Sequence, residues 1–226
     1  MPGAGGRPRP SRVRACCRGG RRTPCGACCF AEDPTLSARD AAILFEARID
    51  SSVLGCNVID GDPEGFDLME VGCFSALLRD DAAREHVVLG DGLRRLRLDV
   101  AGGSLLAGPV RLRFRLEGLH AIEAPLLTLR RLAGLDRLGR MPHQLYPVER
   151  RASRWIQALR AVDAEARGAS QREIAEALVG SARIRSDWNA GSDYLRSQVR
   201  RLLGLGRRMV RGDWRDLLRP RLSDDP

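Results

Sequence analysis

The sequence predicts an α+β fold, with a β-rich N-terminal half built from hairpins and an all-helical C-terminal half that contains a helix-turn-helix-like unit. Between residues 53 and 117, short apolar segments alternate with polar residues and are separated by Gly- and Asp-rich turns, which is typical of strands. After Gly118 the apolar residues recur every three to four positions, which is the period of amphipathic helices. We therefore expect a domain boundary between residues 118 and 119.

The first 30 residues are expected to lie outside both folded halves. They are rich in Gly, Pro, Arg and Cys and show no periodicity, which is typical of a disordered tail or of upstream DNA translated from an early start codon. Cys25 and Cys28, with Cys16 and Cys17, would supply four thiolates, so zinc binding stays open as an alternative. We predict no metal site, and we assign residues 31–118 to the β-rich segment and residues 119–226 to the helical domain.

The β-rich segment is predicted to begin with a short helix at Ser37–Ala47, with Ser37 as its N-cap. Five strands are predicted after it, at residues 53–59, 66–74, 85–89, 93–100 and 110–117. The first two flank a turn at Asp60–Pro63, and the next two flank Gly90-Asp91-Gly92, which is a strong hairpin signal. The last strand alternates apolar residues with arginines, so one of its faces is expected to be solvated.

Four helices are predicted in the C-terminal half, at residues 122–138, 152–167, 170–179 and 192–211. The third opens with a capping box, in which Ser170 and Glu173 reciprocally satisfy free backbone N–H groups, and Gly180 is expected to end it. Ser192 is the expected N-cap of the fourth helix. Gly204 and Gly206 leave open whether this fourth helix is one straight element or two short ones.

The charge is distributed unevenly along the chain. All 38 basic residues are arginines, so their number partly reflects codon usage, and only their placement is informative. Residues 1–31 carry 7 arginines and no acid, residues 32–150 carry 15 arginines and 19 acids, and residues 151–226 carry 16 arginines and 10 acids. The helical C-terminal segment is therefore basic and follows an acidic one, which indicates an anionic partner for it.

The predicted helix at residues 192–211 separates its apolar and basic residues onto two faces at 100° per residue. Its expected buried residues are Leu195, Val199, Leu202, Leu203, Met209 and Val210. Its expected exposed arginines are Arg196, Arg200, Arg201, Arg207, Arg208 and Arg211. Such a helix is either a solvated surface helix or a helix that presents arginines to DNA, and the pattern alone weighs the two about equally.

A short capped helix followed by a longer basic helix is the sequence form of a helix-turn-helix, although the connector is longer than a tight turn allows. Ile174 and Leu178 of the first helix are expected to brace Leu195 and Val199 of the second. The N-terminal half of the second helix is then expected to read base edges, and the later arginines to contact phosphates. The candidate DNA-binding residues are Gln171, Arg172, Ser192, Tyr194, Arg196, Ser197, Arg200, Arg201, Arg207, Arg208 and Arg211.

Four stretches of the C-terminal half carry a family resemblance: RFRLEG at residues 113–118, LRRL at 129–132, SQREIA at 170–175 and GSDYLRSQVRRL at 191–202. On these stretches, residues 85–219 resemble the family of bacterial domains grouped with the DNA-binding domain of RovC, a transcription activator of type VI secretion. The resemblance implies a transcription regulator of element or host genes, since family members often sit on mobile, conjugative elements. Residues 30–34 and 38–42 are similar to the family's N-terminal regulator-like segment, and the chain departs from the family upstream of Phe30.

Other functional classes find little support. His86, His120 and His143 are scattered, and no metalloprotease, nucleophile-elbow or phosphate-loop motif is present, so we predict a protein that is not an enzyme and has no cofactor. Cys56 and Cys73 are expected in the core. No apolar run is long enough to cross a membrane, and a cytoplasmic, nucleoid-associated location is expected.

The expected partner is double-stranded DNA, without a membrane or an evident small-molecule substrate, and a homodimer on paired half-sites is one possible arrangement. The alternative is a protein-interaction module whose basic helix binds an acidic partner. An enzyme site near His86 or His120 is a third, weaker alternative.

Overall fold

The computed structural model describes residues 12–15, 35–37, 40–180 and 193–219. The chain divides into two compact units, the first comprising Met1–Pro147 with Leu218–Pro226 and the second Val148–Leu217. The first unit carries the sheet and one long helix, and the second carries helices. This is the α+β fold class that the sequence predicts. The domain boundary expected at residues 118 and 119 stays a prediction.

The first unit is built on a six-stranded mixed sheet. The strands are β1 (Arg12–Ala15), β2 (Leu54–Phe66), β3 (Phe74–Arg79), β4 (Glu85–Gly90), β5 (Arg95–Ala101) and β6 (Val110–Arg115). Their order in the sheet is β1-β3-β4-β5-β2-β6. Strands β3, β4 and β5 are consecutive antiparallel neighbours, β2 runs parallel to β5 and antiparallel to β6, and β1 runs parallel to β3.

The hairpin predicted around Gly90-Asp91-Gly92 is confirmed. Strands β4 and β5 pair with Leu89 opposite Leu96, and the Asp91 amide donates to the Arg94 carbonyl at 3.1 Å across the turn. The Asp91 carboxylate also accepts from the Arg94 amide at 2.8 Å, which satisfies a turn amide that the ladder leaves unpaired. The alternation predicted for the last strand is confirmed as well, since the arginines of β6 are exposed.

Two strand boundaries are corrected by the structure. The predicted strand at residues 66–74 is wrong, because β2 continues through the expected turn at Asp60–Pro63 as far as Phe66. Gly61 and Phe66 both pair with Val110, so the residues between them form a bulge instead of a chain reversal. The next strand begins only at Phe74, and its residues 75–78 are all buried. A strand buried on both faces loses the alternation by which the sequence would have indicated it.

The helix predicted at Ser37–Ala47 is also wrong, since residues 40–47 contain no helix. Ser37 does donate its hydroxyl to Asp40 at 2.6 Å, but residues 41–44, which form no helix, then lie against the sheet. Ala42 and Leu44 pack against β3 and β4 at the spacing of a strand, and the Arg97 guanidinium donates to the Ile43 carbonyl at 2.9 Å. These tertiary contacts override the local capping signal.

The main core lies between one face of the sheet and helix α1 (Glu123–Leu138). Leu132 and Leu135 of α1 are buried among the inward residues of the central strands, and Thr128 donates its hydroxyl to the Ser52 carbonyl at 2.7 Å. Cys56 belongs to this core, as predicted, and burial raises the pKa of its thiol to about 12. Cys73 is also buried, and burial raises its thiol pKa to about 11. Neither thiol is therefore a ready nucleophile.

The second unit contains three described helices, at the positions that the periodicity predicts. They are α2 (Ala152–Ala166), α3 (Gln171–Val179) and α4 (Asp193–Arg211), and a 3₁₀ turn at Asp213–Leu218 follows them. Helix α4 packs against both α2 and α3, and their buried residues form one small core. This core supports the candidate site.

Candidate nucleic-acid interface

The capping box predicted at the start of α3 is confirmed. The Ser170 hydroxyl accepts from the Glu173 amide at 3.3 Å, and the Glu173 carboxylate accepts from the Ser170 amide at 2.7 Å. The hydrogen bonds from the Ser170 hydroxyl and amide lower the pKa of the exposed Glu173 carboxyl. At the other end, Gly180 has φ 87° and its amide donates to the Glu176 carbonyl at 2.9 Å. The boundaries of α3 are therefore fixed by hydrogen bonds between residues three or four positions apart in the sequence.

The brace predicted between α3 and α4 is confirmed. Ile174 of α3 is buried in one cluster with Leu195 and Val199 of α4, and Leu178 packs partly buried against it. Ala161 of α2 belongs to the same cluster, so α4 rests on two helices instead of one. Helix α2 therefore contributes to the core that supports α4, although the predicted pair included only α3 and α4.

Helix α4 runs without a break from Asp193 to Arg211, which settles the question raised by its two glycines. Gly206 is buried against α2, where a Cβ atom would lie 2.4 Å from the Ala158 carbonyl oxygen and 2.6 Å from Val162 Cγ2. At Gly204, by contrast, a Cβ atom would meet only Arg208 Nη1, at 3.9 Å. Gly206 therefore permits close helix packing, whereas Gly204 lies on an open surface.

Five of the six residues predicted for the buried face of α4 are buried: Leu195, Val199, Leu202, Leu203 and Met209. The prediction for Val210 is wrong, since its side chain is 64% exposed. Val210 projects from the same side of the helix as Val199 and Leu203, about two to three turns further on. Those two residues belong to the cluster formed with α3, and Val210 does not.

The arginines of α4 are exposed, as predicted, and the structure divides them into groups. Arg200, Arg201 and Arg208 line a groove of about 880 Å³ between α4 and α2. Arg151, the N-cap of α2, and Arg154 of α2 line the same groove. The other lining residues are Trp155, Ser197, Gly204 and Leu205. We call this surface the arginine groove. No carboxylate is among its lining residues.

Arg207 and Arg208 have carboxylate partners within the second unit. Arg207 donates to Glu165 of α2 through Nη2 at 2.6 Å and through Nε at 3.1 Å, a two-point ion pair that links α4 to α2. Arg208 lies 3.5 Å from the Asp213 carboxylate, and both side chains are more than half exposed. Arg207 is therefore less available to a ligand than Arg200 and Arg201 of the groove.

The remaining predicted site residues that the structure describes are not among those that line the groove. Tyr194 is 63% exposed, and Arg196 and Arg211 are exposed on α4. Gln171 and Arg172 are exposed on the first turn of α3 and are not among the residues that line the groove. Ser192 and the N-terminal cysteines lie outside the described residues, and of the N-terminal tail only residues 12–15, which form β1, are described.

The pattern of α3 and α4 in the sequence did not indicate the contribution of α2. Arg151, Arg154 and the half-buried Trp155 lie in the groove although they precede α4 by about 40 residues along the chain. The signal that could have found them is the run RRASRW at residues 150–155, in which arginines three apart share a helix face.

His86, the residue named for a possible enzyme site, lies in a buried polar cluster of the first unit. Its Nε2 is 3.3 Å from the Asp80 carboxylate, and its Nδ1 is 3.9 Å from the Asp99 carboxylate. Burial opposes ionisation of Asp80, but hydrogen bonds from the Arg84 amide and His86 outweigh it, so the pKa of Asp80 lies below its usual value. His120 is exposed on a 3₁₀ turn. In the described ranges, no three His, Cys, Asp or Glu side chains are grouped to hold a metal ion.

Comparisons with known proteins agree with the resemblance described above. Residues 114–219 match the family model of the RovC DNA-binding domain, described as a type VI secretion system transcription factor DNA-binding domain. No curated protein matches the chain. None of the helices among the described residues is long and apolar enough to span a membrane. The match begins inside β6 and includes the whole arginine groove. Residues 114–219 of this chain are therefore similar to the RovC DNA-binding family of transcription factor domains.

Proposed function

We propose that this protein is a sequence-specific DNA-binding transcription regulator that uses α3 and α4 as a helix-turn-helix-like pair. The observation that carries the proposal is the arginine-rich surface of α4 within a domain that is similar to a DNA-binding family. A buried apolar face holds α4 against α2 and α3, so its exposed arginines stand on a rigid support. A merely solvated helix does not need several arginines gathered without carboxylates between them.

In this mechanism, the N-terminal half of α4 enters the major groove, which is about 12 Å wide and admits one helix. Tyr194, Arg196, Ser197 and Arg200 belong to that half and read base edges. An arginine can donate two hydrogen bonds to a guanine, which no other base accepts in the same geometry. The preceding helix α3 supports α4 from behind through Ile174.

The remaining candidates anchor phosphates. Arg201, Arg208 and Arg211 lie along the surface of α4, while Gln171 and Arg172 flank the start of α3, where free backbone N–H groups also favour anions. We assign Arg207 a mixed role. Its ion pair with Glu165 holds α4 to α2, and its charge adds to the potential of the surface.

Several finer points belong to the same proposal. We propose that the protein acts at the bacterial nucleoid, in the cytoplasm, as a regulator of the kind carried on mobile elements. A homodimer on paired half-sites fits the usual symmetry of such operators. We assign no catalytic role to the protein.

The test begins with selection of binding sites from a random duplex pool by the full-length chain. Arg196→Ala with Arg200→Ala is then compared with wild type on the selected duplex and on a scrambled one. Removing an arginine that reads a base costs about 1–3 kcal/mol of discrimination. Arg160→Ala with Arg167→Ala removes the same charge from exposed positions of the α2 segment outside the groove and serves as the matched control. Equal discrimination by wild type and the α4 double variant would disprove the assignment of α4 as recognition helix.

A salt titration of duplex binding distinguishes DNA binding from the alternative function, a module that holds an acidic protein. Binding to DNA releases condensed counterions, so the logarithm of the association constant falls linearly with the logarithm of salt concentration, with a slope near −0.9 per phosphate contact. The acidic-partner alternative predicts no duplex binding above the level of any basic protein. It also predicts no selected sequence.

A further inference from the structure

We propose that the arginine groove holds the phosphodiester backbone of one DNA strand, with Arg151 and Arg154 of α2 on one wall and Arg201 and Arg208 of α4 on the other. The proposal rests on the DNA-binding function above and adds α2 to the interface. Helix α2 is neither the bracing helix nor the recognition helix of the predicted pair. Its arginines would make the interface a two-sided clamp instead of a single helix face.

The charge balance of the groove supports an anionic occupant. Within the described residues, Arg151, Arg154, Arg200 and Arg201 have no carboxylate within 4 Å of their guanidinium nitrogens. Arg208 lies 3.5 Å from the exposed Asp213 carboxylate, and Arg207 nearby is paired with Glu165. Gathering like charges without counter-charges destabilises the free protein, and an anion bound between them removes that cost. A polyanion satisfies several of the cations at once.

The chemistry of the groove suits phosphate in particular. A guanidinium donates two parallel hydrogen bonds to the oxygens of one phosphate, which a lysine ammonium does not reproduce. Gly204 leaves the wall open where a larger residue would project. The groove is open and has a volume of about 880 Å³, so its size does not restrict it to a single small anion.

Contacts of this kind are independent of sequence. Phosphates fix the register and orientation of a protein on the duplex, whereas base edges carry the sequence information. Removing the α2 arginines is therefore expected to weaken binding to every duplex by the same factor and to leave discrimination between duplexes unchanged. This separates the α2 arginines from Arg196 and Arg200, whose removal is expected to reduce discrimination.

The experiment measures the affinity of the full-length chain for a 30-base-pair duplex of mixed sequence over a series of salt concentrations. The test variant is Arg151→Ala with Arg154→Ala, and the control is Arg160→Ala with Arg167→Ala. Removing two phosphate-binding arginines reduces the magnitude of the log–log salt slope by about 1.8, and it lowers affinity near physiological salt by about 10- to 30-fold. Arg151→Lys with Arg154→Lys keeps both charges and is expected to restore most of the slope, which excludes misfolding as the cause.

Three outcomes decide between the proposals. A slope that falls for the alanine variant, but not for the control, supports the clamp. Equal slopes for the two double variants, or a loss of discrimination on the selected duplex, overturns the assignment of the groove to phosphates and leaves the DNA-binding function standing. Failure of the wild-type chain to bind any duplex at low salt overturns the function itself, and the clamp with it.

Discussion

Gly206 offers the sharpest test of how α4 is seated on α2. The structure places it so close to α2 that an added Cβ atom would lie 2.4 Å from the Ala158 carbonyl oxygen and 2.6 Å from a methyl carbon of Val162. The first of these neighbours is backbone and cannot rotate away. Gly206→Ala therefore requires the two helices to separate by about 1 Å to restore ordinary van der Waals contact.

The expected cost combines two opposing effects. Overpacking by one methyl group in a close-packed site costs about 1–3 kcal/mol. Replacing a helical glycine by alanine contributes about 0.5–1 kcal/mol in the opposite direction, because alanine loses less backbone freedom on folding. We expect a net loss of about 1–2 kcal/mol in the free energy of unfolding of the second unit.

Gly204 provides the matched control, because it lies in the same helix only two residues away. The nearest atom to a Cβ at this position is the mobile end of Arg208, at 3.9 Å, so Gly204→Ala keeps the gain of about 0.5–1 kcal/mol and incurs no clash. The two substitutions are chemically identical and are expected to act with opposite sign.

Urea unfolding of the full-length chain, followed by tryptophan fluorescence, measures both variants. All three tryptophans, Trp155, Trp188 and Trp214, lie between residues 148 and 217, so the signal reports on the second unit. The comparison uses the unfolding midpoint at constant slope, which isolates a change in stability. A Gly206→Ala variant as stable as Gly204→Ala would refute the close packing of α4 on α2.

Three further predictions concern single contacts. Ser170→Ala removes the N-cap of α3 and is expected to destabilise the second unit by about 1 kcal/mol in the same fluorescence assay. Thr128→Val leaves the Ser52 carbonyl without its donor and is expected to cost about 1–2 kcal/mol, measured by circular dichroism of the first unit's transition; an unchanged midpoint would contradict this hydrogen bond. Because the pKa of Asp80 is lowered in the folded state, its contribution to stability is present above its ordinary pKa of 3.8 and is lost as the pH falls through the lower folded value. Asp80→Asn is therefore expected to flatten the decline in unfolding free energy below about pH 4, and an identical acid limb in the two proteins would count against it.

Local signals in the sequence were sufficient where contacts among an element's own residues determine that element. The capping box of α3, the Gly90-Asp91-Gly92 hairpin and the period of α4 all rest on contacts between residues a few positions apart. Such signals act over one or two turns, so they appear in the printed sequence. Local signals failed at residues 40–47, which pack against the sheet, and at β3, whose residues are buried on both faces.

The candidate site divides in the same way. The sequence by itself determined that α4 is amphipathic, which of its arginines are exposed, and that α3 braces it, because these follow from helical period and hydrophobicity. The tertiary structure alone decided that α2 contributes Arg151 and Arg154 to the same groove, that Glu165 engages Arg207, and that Gly206 is a packing residue while Gly204 is not. The physical reason is distance along the chain: guanidiniums from helices about 50 residues apart share one anion site only after the apolar faces of those helices have packed together.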